Sequence, residues 1–148
     1  MERFLGRYSP YIYAILRIVT GFLFLMHGTQ KILGFPVRPP NPCQCPPPAQ
    51  PSQIMAALSG ASGYLELILG LLILVGLFGG WAGFFASGMM AVAYFASHQP
   101  RGLFPIQNAG ELAALYCFVF LYIAARGSGP WSIDSLLGRN RVDERATE

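Results

Sequence analysis

The chain has 148 residues, 53% of them hydrophobic and 11% charged, and its mean hydropathy is positive, +0.45. Soluble domains carry about 25% charged residues, so the composition points away from a soluble fold and towards one membrane domain. The net charge is only +3 and the basic residues are not clustered among aromatics, which excludes a nucleic-acid partner.

A helix that crosses a bilayer needs about 20 mostly apolar residues. The first such run covers residues 10–33 and contains Arg17, His27 and Lys31. It carries an arginine and lacks a small-residue cleavage site, so it reads as a retained span and not as a signal peptide. The loop 34–53 follows and reads PVRPPNPCQCPPPAQP from Pro36 to Pro51. So many prolines favour an extended polyproline conformation over helix or central strand. The second span covers 54–78, with Glu66 near its middle, and the pair Gly79-Gly80 breaks it. The third covers 81–98 and ends at His98-Gln99-Pro100; the fourth covers 108–126. A helix of a soluble bundle shows a polar face, whereas the stretch from Leu67 to Phe78 is apolar all round. The expected fold is all-α: a transmembrane four-helix bundle within residues 1–138, followed by a polar tail at 139–148.

Orientation follows from the lysines and arginines. With four spans both termini share one side, which holds Arg3, Arg7, Arg126, Arg139, Arg141 and Arg145. The opposite side holds Lys31, Arg38 and Arg101. Both termini are therefore expected in the cytoplasm, with the proline-rich loop outside a plasma (inner) membrane. There Cys43 and Cys45 meet an oxidising compartment. One residue apart, they can close only a small strained ring, of the reducible kind. They are candidate redox thiols, although plain loop cysteines are the simpler reading. Cys117, inside the fourth span, reads as a small packing residue.

Ionisable groups inside a membrane face the bundle interior, pair with one another and mark functional sites. Arg17, Thr20, Phe24, His27 and Lys31 are spaced three, four, three and four, which sets them on one stripe that must face protein. Gly63, Glu66, Gly70 and Ile73 share a face of the second span, where the small residues let a neighbouring helix come close. Counting about 1.5 Å per residue from the helix ends brings Arg17 and Glu66 to similar depth and predicts a buried ion pair between them. A second set gathers near the outer surface: His27 and Lys31, His98, and Asn108 with Glu111. These five form a candidate ligand site. Imidazoles beside a carboxylate can hydrogen-bond a quinone carbonyl and exchange protons. The same groups can hold a metal, although no metal is expected, and Lys31 and Asn108 can also simply reach interfacial water.

The segment Arg17-Ile-Val-Thr-Gly-Phe-Leu-Phe-Leu-Met-His-Gly-Thr-Gln-Lys31 resembles the opening of the DoxX family, an arginine, then a glycine, then His-Gly-x-x-Lys. Glu66-Leu-Ile-Leu-Gly-Leu-Leu-Ile-Leu-Val-Gly76 is similar to its second helix, and Asn108-Ala-Gly-Glu111 to the start of its fourth. The ending Gly127-Ser-Gly-Pro-Trp-Ser-Ile-Asp134 resembles its Gly-x-Gly-x-x-Ser-x-Asp tail. The proline-rich insertion with Cys43 and Cys45 departs from the compact first loop of that pattern. The resemblance implies a four-helix membrane protein linked to redox or sulfur metabolism; some relatives are the membrane subunit of a thiosulfate:quinone oxidoreductase. It supports Arg17, His27, Lys31, Glu66, Asn108 and Glu111 as family features.

Two functions stay open. One is a quinone-linked oxidoreductase subunit; the chain carries no recognisable haem, flavin or iron–sulfur motif, so a partner would supply the electrons. The other is a non-enzymatic subunit that docks or stabilises a larger membrane complex, with Gly63, Gly70, Gly83, Gly88 and the proline-rich loop as partner surfaces. Packing within the chain is the plainer explanation of those glycines.

Overall fold

A computed structural model describes residues 2–37 and 53–138. Among these the chain is all helix, without a strand. A short helix α1 (Glu2–Leu5) and a 3-10 turn (Gly6–Tyr8) lead into α2 (Ser9–Leu33). Pro10 suits the first turn of α2, where its missing N–H costs nothing. Gly34 closes the helix in the left-handed conformation, with φ 67°. Next come α3 (Gln53–Val75) and α4 (Gly79–Ala93), the latter continued by a π-helical turn (Tyr94–His98) and a 3-10 turn (Gln99–Arg101). After a loop, α5 (Glu111–Arg126) runs back, and the tail ends in α6 (Ile133–Leu136).

The expected helices correspond in order to α2, α3, α4 with its continuation, and α5, but α3 stops at Val75 and α5 starts only at Glu111. Gly79-Gly80 does not break the chain; Gly79 is the first residue of α4. The turn lies at 76–78, where Gly76 has φ 69° and Phe78 φ 52°. A Cβ on Gly76 would lie 2.7 Å from an Arg17 guanidinium nitrogen, so the position is closed to other residues by both backbone and space.

Helices α2 and α3 pack antiparallel, backbone against backbone. A Cβ on Gly21 would come within 2.6 Å of the Leu74 amide, one on Gly70 within 2.7 Å of the Leu25 amide, and one on Gly28 within 2.6 Å of the Leu67 amide. Gly21 and Gly28 on α2, and Gly63 and Gly70 on α3, each stand seven residues apart, two helical turns. Small residues at such a seam are what packing in a bilayer requires, where lipid gives helices no hydrophobic push together. Helices α4 and α5 form the second pair. Gly83 lies against the backbone of Ala124, and Ser87 Oγ donates to the Cys117 carbonyl at 2.8 Å. The half-buried Cys117 thus sits in a helix–helix contact, as expected of a packing residue. Aromatic rings join the two pairs: Phe24 of α2 meets Phe120 of α5 edge-on at 4.7 Å, and Tyr116 stacks on Phe120 at 5.5 Å.

The outside of the bundle is as apolar as its core. Ile15, Phe22, Ile68, Phe85, Leu115 and Phe118 are all exposed, whereas Arg17, Glu66 and Asn108 are buried. Exposed apolar surface on this scale marks contact with something other than water. Among the described residues, the helix 6–33 is by itself long and apolar enough to cross a membrane, and 60–75 forms a shorter apolar helix.

Candidate functional site

Polar side chains gather in three places: one at the end of the bundle that carries the termini, two at the opposite, loop end. The stripe read on α2 is real. Arg17, Thr20 and Phe24 are buried, His27 is half-buried, and only Lys31 is exposed. Gly63, Glu66, Gly70 and Ile73 of α3 are all buried.

The predicted partnership of Arg17 and Glu66 is not formed. Arg17 Nη1 donates to the carbonyls of Ile73 (2.7 Å) and Leu74 (2.8 Å). Its Nη2 donates to Trp131 (2.7 Å) and Pro130 (3.4 Å). The guanidinium therefore serves the last turn of α3, whose carbonyls lack helical partners, and ties that turn to the tail. A cation there also suits the negative end of the helix dipole.

Glu66 pairs with Lys31 instead, Nζ to Oε1 at 2.6 Å, and the same ammonium donates to Ser62 Oγ at 2.9 Å. The seam explains why. Gly21 faces Gly70 and Gly28 faces Gly63, so Arg17 is level with residue 74 and Glu66 with residue 25, about 12 Å apart along the axes. Side chains also lean towards the N-terminus of their own helix. In an antiparallel pair, Arg17 leans to the termini end and Glu66 to the loop end, so the two diverge. Lys31 leans back from the end of α2 and meets Glu66. The carboxylate side chain is 4% exposed and the lysine 35%, so the pair runs from the interior to the rim. Glu66 Oε2 is buried and has no hydrogen-bond partner among the described residues.

The termini-end node includes residues that the sequence did not single out one by one. Ser128 Oγ donates to Asp134 Oδ2 at 2.6 Å and accepts from the Gly79 amide at 2.9 Å; that amide also reaches Asp134 Oδ2 at 3.3 Å. The Asp134 amide donates to the Gly76 carbonyl at 3.1 Å. The tail thus caps α4, which has no side-chain cap of its own. Ser132 caps α6 through reciprocal bonds with Ser135, and the Tyr13 hydroxyl donates to the Gly127 carbonyl. The one sequence signal for this node is the Gly-x-Gly-x-x-Ser-x-Asp spacing at 127–134; nothing in it says which helix ends it caps.

At the loop end, His98 Nδ1 lies 3.1 Å from the Asn108 carbonyl, and its ring stacks on Tyr94. The buried Asn108 side chain donates to the Gly102 carbonyl (2.9 Å) and accepts from the Gly110 amide (2.8 Å). These two residues therefore serve the loop between α4 and α5. His27 sets its ring edge-on to Tyr116 at 6.2 Å, and Glu111 is exposed at the start of α5. No hydrogen bond or ring contact among the described residues joins His27 to His98, or Glu111 to either. Direct contacts among the described residues thus join Lys31 with Glu66 and His98 with Asn108. Cys43 and Cys45 lie outside the described residues.

Of the four glycines considered as partner surfaces, Gly63, Gly70 and Gly83 are used within the chain, whereas Gly88 of α4 faces open space.

Comparison with known proteins gives a consistent picture. The DoxX family model matches residues 12–99, which takes in α2, α3 and α4 with its π-helical end. Over 142 residues the chain is 37% identical to a Haemophilus influenzae protein named only "Uncharacterized protein", covering 88% of this chain and 94% of that one. No solved structure matches.

Proposed function

The chain belongs to the DoxX family of membrane proteins, and from that premise we propose a multi-pass protein of the inner membrane that serves as a quinone-linked redox subunit. Helices α2, α3, α4 with its π-helical end, and α5 each cross the bilayer. Both termini face the cytoplasm, and the loop 34–53 faces outward. The apolar exterior of all four helices supports the spans, and the excess of basic residues at the termini supports the orientation.

The observation that carries the redox reading is the Glu66 carboxylate. It is buried, held through one oxygen by Lys31, and its other oxygen is buried without a hydrogen-bond partner among the described residues. Such an atom in a spanning helix is costly without a use. His27 stands one turn inside Lys31 on the same stripe, against Tyr116. A carboxylate acceptor, an ammonium and imidazole donor pair and an aromatic wall fit a quinone head group. A bound quinone would supply two-electron chemistry coupled to protons. Lys31 would orient a carbonyl, and Glu66 Oε2 and His27 would pass its protons. The reducing equivalents come from a small sulfur compound by way of a partner protein.

The test is binding of a soluble quinone analogue to the protein in lipid nanodiscs. Glu66→Gln and His27→Ala are expected to weaken binding at least about tenfold, roughly 1.4 kcal/mol, with helical content unchanged. Wild-type binding that neither substitution alters sinks this site. A second reading, a non-enzymatic subunit, is favoured by Gly88, which lies open between the exposed Phe85 and Val92 on α4. A partner that purifies with the protein and is lost in Gly88→Leu, with no quinone bound, selects it.

A further inference from the structure

The loop between α4 and α5 presents an apolar surface that no helix packing explains. Leu103, Phe104 and Ile106 are 72%, 57% and 76% exposed, next to exposed Arg101 and Gln107. We infer that Leu103, Phe104 and Ile106 dip their side chains into the outer lipid leaflet and complete the apolar band that α5 begins, with the loop backbone at head-group depth.

Length argues for it first. From Gly79 to His98, α4 and its π-helical turn run 20 residues, about 30 Å, which matches a hydrocarbon core. α5 has 16 residues, about 24 Å, so it stops about 6 Å short. Apolar side chains of the loop can reach into that gap and continue the exposed Leu112, Leu115 and Phe118 of α5.

Backbone chemistry sets how deep the loop can lie. Lipid-exposed irregular backbone does not enter the hydrocarbon itself, so the loop backbone lies at head-group depth, where water reaches the groups its own bonds leave open. Here the Phe104 carbonyl accepts from the Gln107 and Asn108 amides, at 2.9 and 3.1 Å, and the Pro105 carbonyl accepts from Gly110 at 3.0 Å. The Asn108 side chain closes the loop from within, spanning the Gly102 carbonyl and the Gly110 amide at 2% exposure. Its own carbonyl faces His98. Arg101 and Gln107 flank the apolar residues where polar head groups begin.

This inference rests on the membrane-spanning reading, and a control at Phe118 separates the two. Single cysteines at 101, 104, 106, 107 and 118, in the full chain with its own cysteines replaced by serine, are spin-labelled in vesicles of phosphatidylethanolamine and phosphatidylglycerol. Accessibility to oxygen is compared with that to a water-soluble nickel chelate. Oxygen is expected to dominate at 104, 106 and 118, and the chelate at 101 and 107. Chelate dominance at 104 and 106 with oxygen at 118 overturns the inference and leaves the spans intact. Labels at 104 and 106 shielded from both probes mean protein covers the loop, which also overturns it. Chelate dominance at 118 sinks the spanning reading itself. Should the serine background not fold, Phe104→Trp in the otherwise intact chain replaces it: lipids brominated near the glycerol are expected to quench the added fluorescence, and unquenched emission counts against the inference.

Discussion

Arg17 offers the sharpest test of how the bundle is held together. Its guanidinium makes three bonds shorter than 3 Å, to Ile73, Leu74 and Trp131 carbonyls. Hydrogen bonds from a charged donor contribute about 1.5–3 kcal/mol each, and a buried carbonyl left without a donor costs about 1–3 kcal/mol. Inside a membrane the lower end applies, because the unfolded helices also find partners. Arg17→Ala strands the Leu74 and Trp131 carbonyls, leaves Ile73 with the Gly76 amide alone, and is expected to cost at least about 3 kcal/mol, roughly 150-fold in the folding constant. Arg17→Lys keeps the charge but loses the fork that reaches α3 and the tail together, so about half that loss is expected. The assay is titration of the detergent-solubilised protein with a denaturing detergent, followed by circular dichroism. Arg17→Lys within about 0.5 kcal/mol of wild type, together with Arg17→Ala below about 1 kcal/mol, refutes the carbonyl staple. Because Arg17 and Glu66 do not touch, Arg17→Ala and Glu66→Gln are expected to add within about 0.5 kcal/mol; a larger coupling restores the direct pair.

Lys31 and Glu66, by contrast, should couple in a double-mutant cycle read by the same titration, by about 1 kcal/mol given the exposed lysine, and strict additivity would deny the contact. Gly70→Ala drives a methyl into the Leu25 backbone and is expected to cost about 1–3 kcal/mol, whereas Gly88→Ala, which meets nothing, is expected to raise helix stability slightly; equal effects would dismiss the seam. For topology, a membrane-impermeant thiol reagent applied to reduced intact cells is expected to label Cys43 and Cys45, and labelling only after lysis reverses the orientation.

Sequence periodicity alone settled the helices and their inward faces. Apolar helical runs that carry charged groups at three- and four-residue spacing can be stable only if Arg17, Thr20 and Phe24 turn to protein, and they do. The choice of partners lay elsewhere. Register along α2 and α3 is set by where Gly21 and Gly28 fit against Gly70 and Gly63, a contact between backbones that no single-helix pattern encodes. That register, together with the lean of side chains towards each helix's N-terminus, gave Glu66 to Lys31 and Arg17 to the end of α3. The roles of Ser128 and Asp134 were hidden for a related reason. A helix cap supplied from 49 or 55 residues away leaves no local signature beside the helix it serves, so only the folded chain reveals that the tail caps α4.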